Sequence, residues 1–320
     1  MNEEISKDLK LSLYVEMLKI RLFEETQAKV FVTDQEGFTH LYIGEEAIAA
    51  GVCANLNKDD YITSTHRGHG HMIAKGGDMK KMMAELYGRI DGYCKGKSGS
   101  LHIADFSIGV LGANGIVSAG IPIATGAGYS AKLRGTKQVA VAFFGDGATT
   151  QGGFHEAVNM AAAFDLPVIF IIENNMYLVG TRFNRVCKVC DDLAVKAAGY
   201  GMPGYNIDGN DVLEVYKFAK DAIRRARDGL GPTLINCRTY RHHTHFEGDV
   251  DVRDEKEVRY WLERDPIKRM EEELLREKII DPVAIKKQRE TIQKMVDDAV
   301  DFARRSPKPA PEVAFEDLFV

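Results

Sequence analysis

Asp146 stands between two glycines, Gly145-Asp146-Gly147, and an asparagine pair, Asn174-Asn175, follows after a gap of 26 residues. One carboxylate and one side-chain amide, joined by loop carbonyls, form an all-oxygen donor set that suits Mg2+ or Ca2+ rather than zinc. Mg2+ completes its shell from water and phosphate, so this set implies a phosphorylated ligand. An acid between glycines repels a bare pyrophosphate and anchors one once a divalent cation lies between them. Rival phosphate motifs fail on spacing. The dinucleotide fingerprint needs a glycine where Thr150 stands. The P-loop gap from Gly147 to Gly152 runs on into Gly153-Phe154, and Gly96-Lys97-Ser98 has Asp91 where its first glycine belongs.

These side chains need elements that bring them together, and residues 138–177 supply them. Val139 to Phe144 is a short apolar run of the kind buried on both faces of a parallel sheet. From Gln151 to Phe164, the positions Phe154, Ala157, Val158, Ala161 and Phe164 recur at helical spacing and predict one buried face. After Pro167, Val168 to Ile172 reads as a second buried strand. A strand-helix-strand crossover makes the two strands parallel, so Asp146 and Asn175 emerge at the same sheet edge, where open α/β sheets bind ligands.

Two histidine clusters stand at the ends of other predicted strands. Tyr61 to Thr65 delivers Thr65-His66-Arg67-Gly68-His69-Gly70-His71, whose charges are costly in a core and unneeded on a surface; the reading is a pocket loop. A metal site of His66, His69 and His71 is poorly served by this alternate spacing. Thr233 to Thr239 runs into Tyr240-Arg241-His242-His243-Thr244-His245, where imidazoles can exchange protons near neutral pH. The lone CxxC of Cys187 and Cys190 lacks the further ligands a zinc site needs.

Together these residues resemble a known family. The Gly145-Asp146-Gly147 to Asn174-Asn175 pattern is similar to the thiamine diphosphate motif of transketolase-like enzymes. The segments HLYIGEEA from His40, STHRGHGH from Ser64, GANGIV from Gly112 and YRHHTHFEGD from Tyr240 resemble the 2-oxo acid dehydrogenase E1 alpha family. The resemblance implies Mg2+ held by Asp146, Asn175 and the Tyr177 carbonyl. It implies thiamine diphosphate held by His66, Arg67, Gly115, Val117, Gly147, Ala148, Asn175 and His245, with catalytic roles for His40, His69 and His245. His66 stands where pyruvate-oxidising members usually carry tyrosine, and the motifs look most like the acetoin-cleaving members. Phe246 replaces a regulatory phosphoserine of many mitochondrial relatives. The implied activity is cleavage of acetoin to acetaldehyde and a two-carbon unit that passes to a lipoyl group on an E2 acyltransferase. A beta subunit supplies the activating glutamate in an alpha2beta2 heterotetramer. Pyruvate or a branched 2-oxo acid as substrate, and a non-catalytic Mg2+-phosphate binding or assembly subunit, are the alternatives.

Composition agrees with a large folded enzyme. The chain has 320 residues, 45% of them hydrophobic, enough for a sizeable core. A net charge of -5 argues against nucleic acid as a partner. The start, MNEEISKDLK, has no apolar h-region, and no run long enough for a membrane span follows, which reads as cytoplasmic. Five cysteines fit a reducing compartment. The expected architecture is a thiamine diphosphate-binding α/β fold with a central, mostly parallel sheet flanked by helices. An N-terminal helix (1–35), the α/β domain (36–250) and a helical C-terminal extension (251–320) follow in order. Ser6 to Val32, Ala47 to Ala54, Met79 to Tyr87, Ala119 to Ala131, Asp191 to Tyr200 and Val212 to Ala226 are predicted helices. Pro266 is expected to break the charged helix after Arg253, and Phe315 to Val320 to dock on another subunit. The glycine-rich loop Gly92 to His102 carries two lysines.

Overall fold

The computed structural model describes residues 5–35 and 37–318; the first four residues and the last two, which end the expected docking segment, lie outside them. Eight strands run in chain order: β1 (Tyr61–Thr65), β2 (Val110–Asn114), β3 (Ala140–Gly145), β4 (Val168–Asn174), β5 (Tyr177–Leu178), β6 (Thr181–Arg182), β7 (Gly204–Asp208) and β8 (Thr233–Arg238). Six of them form one parallel sheet in the order β2-β1-β3-β4-β8-β7, while β5 and β6 make a small antiparallel hairpin. The connections from β1 and from β3 run to opposite sides, so the crevice above these two strands is the topological switch point of the sheet.

The helices are α1 (Lys7–Asp34), α2 (Glu46–Cys53), α3 (His69–Ala74), α4 (Met79–Leu86), α5 (Gly120–Leu133), α6 (Gly152–Ala163), α7 (Val212–Arg227), α8 (Glu255–Leu262), α9 (Pro266–Arg276) and α10 (Pro282–Arg305). Strand alternation sorts them onto two faces. Val141, Phe143, Ile169 and Ile171 join a core with α1, α2, α4, α7, α9 and α10. Ala140, Ala142, Phe144, Val168, Phe170 and Ile172 join a second core with α5 and α6. The continuous apolar character of β3 and β4 thus reflects burial on both sides. On α5, Gly128 packs so close that an added Cβ would lie 2.5 Å from Val168 Cγ2, so the missing side chain there serves internal packing.

Some expectations hold and others shift. Ser6 caps α1, its side chain accepting from the Leu9 amide at 3.3 Å. Pro266 starts a helix rather than breaking one: it opens α9 behind the Asp265 cap, where a missing N–H costs nothing. Asp191 to Tyr200 is a 3-10 helix over Leu193–Tyr200. The stretch after β1 is not wholly loop, since His69 begins α3. Gly92 to His102 wraps around a carboxylate. Glu85 Oε2 accepts from the Cys94 and Gly96 amides at 2.7 and 3.0 Å, and Oε1 from the Ser98 amide at 2.7 Å, the Ser98 hydroxyl at 2.9 Å and the Gly99 amide at 3.3 Å. This loop's anion is its own glutamate. Half-buried Lys95 and exposed Lys97 turn away to meet Glu316 and Asp317.

Candidate active site

Parallel strands end together, and the carboxyl ends of β1, β2, β3, β4 and β8 surround a cavity of about 570 Å3. β1 delivers His66 and Arg67, β2 leads to Gly115 and Val117, β3 to Asp146, Gly147 and Ala148, β4 to Asn175 and Tyr177, and β8 to Arg241 and His245. His40, from the segment ahead of α2, closes the ring. At Gly147 an added Cβ would lie 2.2 Å from Leu178 Cδ2, so the leucine tip of the β5–β6 hairpin packs directly on the turn that carries Asp146.

Asp146 is 2% exposed; its Oδ1 accepts from the Gly147 amide at 2.7 Å, and its Oδ2 is buried without a partner. Burial pushes its carboxyl up to about 7. A buried oxygen with no donor, beside the amide of Asn175 and the backbone of Tyr177, fits an oxygen-binding cation. Asn175 is fixed by Glu45, whose Oε1 accepts from Nδ2 at 3.1 Å, and its own Oδ1 accepts from the Tyr177 amide at 3.3 Å. Glu45 is buried too, its carboxyl raised to about 8 by burial and then by the nearby Glu173. The donor set and the orphaned oxygen match a metal-bound diphosphate, and the cavity has room for one.

At the other end three imidazoles meet. His40 lies 4.7 Å from His66 and 4.9 Å from His245, ring centre to ring centre. Burial, then the Arg67 charge, lowers His40 to about 3, His245 to about 4 and His66 well below its ordinary range, so the rings are neutral at physiological pH. Arg67 Nη2 donates to His245 Nδ1 at 3.2 Å, which puts the ring proton on Nε2 and makes that nitrogen a donor. Arg67 also braces the loop by donating to the carbonyls of Leu41 at 2.9 Å and His245 at 2.6 Å.

His69 does not join them. It is fully buried, its Nδ1 3.0 Å from Glu24 Oε2 and its Nε2 2.9 Å from Ser100 Oγ, and it does not line the cavity. His71 is likewise scaffold, set between Ser64 Oγ at 2.7 Å and Glu173 Oε1 at 2.8 Å. On α3, His69 and His71 point apart, and the alternate spacing that suggested one pocket splits them. Three charged residues line the cavity without having been singled out: Glu45, Glu173 and Arg241. Each stood inside a quoted motif or beside one, at a strand end or helix start, and that position was the usable signal.

Comparison with known proteins fits this geometry. Residues 14–312 match the dehydrogenase E1 component family. The chain belongs to that family. E1 components of this kind depend on thiamine diphosphate, and their alpha subunits work with a beta subunit. It is 47% identical over 320 residues to the alpha subunit of acetoin:2,6-dichlorophenolindophenol oxidoreductase of Bacillus subtilis (strain 168), covering 99% of this chain and 95% of the relative. The protein of the same name from Cupriavidus necator is 43% identical, covering 99% and 96%. The chloroplastic pyruvate dehydrogenase E1 component subunit alpha-3 of Arabidopsis thaliana is 39% identical, covering 98% and 75%. Among the described residues no helix is long and apolar enough to cross a membrane. Apolar side chains stand exposed among the residues lining the cavity: Ile116 is 72%, Val117 55% and Val179 54% exposed.

Proposed function

We propose that this chain is the alpha subunit of an E1 component that cleaves acetoin and hands the acetyl unit to a lipoyl-bearing E2 acyltransferase. The observation that carries the reading is the likeness along nearly the whole chain to two acetoin oxidoreductase alpha subunits. In this reading residues 36–250 form the cofactor-binding domain, flanked by the helical segments 1–35 and 251–320. Asp146, Asn175 and the Tyr177 carbonyl hold Mg2+. His66, Arg67, Gly115, Val117, Gly147, Ala148 and His245 hold thiamine diphosphate, and the beta subunit of an alpha2beta2 assembly closes the mouth.

When bound, thiamine diphosphate supplies a nucleophilic carbon and the electron sink for carbon–carbon cleavage. The chain's part is positioning and proton handling. Glu45 turns the Asn175 amide so that its oxygen serves the cation. His245, with its proton on Nε2, donates a hydrogen bond to an oxygen in the cavity, and neutral His40 beside it accepts one at its unpartnered Nδ1. A neutral hydroxyketone matches uncharged imidazoles better than a carboxylate does. Pyruvate is the second reading, favoured by the pyruvate dehydrogenase alpha relatives.

The test is a reductive assay with an artificial electron acceptor, on the chain co-purified with its beta subunit, Mg2+ and thiamine diphosphate. Acetoin should give a much higher kcat/KM than pyruvate or branched 2-oxo acids. Preference for a 2-oxo acid moves the protein to the decarboxylating branch, and turnover by the alpha chain alone removes the heteromeric reading.

A further inference from the structure

Cys187 and Cys190 are the one pair of cysteines close together in the sequence, and neither has a part in the chemistry above. Cys53 and Cys237 are buried in the first core, where burial pushes the Cys53 thiol up to about 12. Cys187 sits in the second core, and half-buried Cys190 packs against that same core. Both thiols are free. The chain turns over residues 188–191, directly after Cys187, and Lys188 and Val189 between the cysteines are exposed. A turn holds residues three apart within about 7 Å at Cα, and a disulfide spans about 4.4 to 6.8 Å.

Both ends of this loop are tied to residues beside the candidate cation ligands Asn175 and Tyr177. At its start, the Phe183 amide donates to the Met176 carbonyl at 2.8 Å, and the Phe183 carbonyl accepts from the Cys187 amide at 3.1 Å. At its end, the Cys190 carbonyl accepts from Nδ2 of the buried Asn174 at 3.0 Å. Asn174 Oδ1 in turn accepts from the Met176 amide at 3.2 Å. Met176 has a φ of 68° and Val179 one of 54°, left-handed conformations that persist only where surrounding contacts hold them. The segment that carries Asn175 and Tyr177 therefore leans on anchors in the cysteine loop. Drawing Cys190 toward Cys187 takes its carbonyl away from Asn174 and leaves a buried amide short of an acceptor.

We propose that Cys187 and Cys190 form a reversible disulfide whose closure weakens ligand binding at the neighbouring cation site. The coupling rests on the proposed reading of that site; formation of the disulfide does not. A small disulfide is the oxidant. The Cys190 thiolate attacks one of its sulfurs, forming a mixed disulfide and releasing one thiolate, and the Cys187 thiolate then attacks the Cys190 sulfur and releases the second. The chain loses two protons and two electrons, and the small disulfide becomes two thiols. In a reducing compartment such bonds are transient and serve as sensors.

The experiment equilibrates the alpha–beta complex with oxidised or reduced glutathione, alkylates the remaining thiols and reads the bond by mass. Calorimetry on the same samples then measures Mg2+-dependent binding of thiamine diphosphate. Oxidation should protect Cys187 and Cys190 together from alkylation and weaken binding by about 10-fold, the size expected for a disturbed outer contact, and dithiothreitol should restore it. Reduced Cys190→Ser should bind as the reduced parent does and should not respond to oxidised glutathione; Cys187→Ala should behave likewise. Absence of the bond in fully oxidised glutathione overturns the proposal, as does a bond that leaves affinity unchanged or an equal loss of affinity in Cys190→Ser. Failure of the reduced parent to bind thiamine diphosphate overturns the cation-site reading and the coupling with it, and the mass measurement tells that failure from the others.

Discussion

Glu85 and Asp146 are both carboxylates hidden from water, at 0% and 2% exposure, yet one receives five hydrogen bonds from its own loop and the other leaves an oxygen with none. The first is closed chemistry: every donor it needs is in the chain, and its work is to shape a loop that leads on to Ser100, against His69, and to Leu101, in the cavity wall. The second is open chemistry, complete only with something the chain does not contain. The same contrast separates the buried histidines. His69 and His71 each face a carboxylate, Glu24 and Glu173, whereas His40, His66 and His245 face one another and Arg67. Binding sites are where a fold leaves polar groups unfinished.

The largest effect expected from breaking this contrast is in Asp146→Asn. Loss of a cation ligand should reduce Mg2+-dependent thiamine diphosphate affinity by about 100-fold or more, since even outer-shell groups are worth 10- to 100-fold. Thermal unfolding of the cofactor-free complex should be unchanged or slightly raised, because a neutral amide replaces a buried carboxyl whose Oδ2 has no partner. A matching loss of stability would show that Asp146 is structural after all.

Glu85→Ala should do the reverse. It strands several amides at once, and about 3 kcal/mol of unfolding free energy should be lost, readable in urea denaturation. Metal dependence should persist in whatever folds. If Glu85→Ala is as stable as the parent, the loop holds itself and the nest is incidental.

Acid should act through the cavity histidines. His40 and His245 have folded values of about 3 and about 4, below the 6.5 of an ordinary imidazole. The unfolded chain therefore binds more protons in that window, and stability must fall as pH drops through it. The urea midpoint should decline as pH falls from about 6.5 to about 4, and His40→Asn combined with His245→Asn should flatten that decline. An unaltered slope in the double variant would place the acid sensitivity elsewhere.

The smallest effect belongs to the surface. Asp34, at the end of α1, accepts from Arg304 Nη2 at 2.7 Å and from Tyr87 Oη at 2.8 Å, and the arginine bond holds its carboxyl down to about 2. Asp34→Asn should cost a few tenths of a kcal/mol near neutrality, as exposed pairs usually do. That contribution is present above the ordinary value of 3.8 and disappears as pH falls through about 2.

Much of this was readable from the chain alone, for physical reasons that differ by element. β3, α6 and β4 carry strong periodic signals, so the crossover and the meeting of Asp146 with Asn175 followed from the sequence. β2 was missed because Val110–Asn114 contains a glycine and lacks the run of apolar residues that marks a buried strand. The separation of His69 from His66 was hidden because it depends on α3 starting one residue after Gly68, a boundary without a side-chain cap to announce it. Arg241 was in view as part of a motif. Only the long-range bond of its Nη2 to the Val179 carbonyl, beside an Nη1 left without a partner, shows which nitrogen is uncommitted.

The bare valines and isoleucine around the cavity mouth bear on how such a protein must be made. A copy released without its counterpart carries an unfilled polar hole ringed by grease, the combination that makes newly finished chains cling to one another. If, as proposed, the beta subunit closes this mouth, synthesis of the two subunits in matched amounts matters for solubility before it matters for catalysis. Overproducing this chain alone should yield aggregates that a co-produced beta chain prevents.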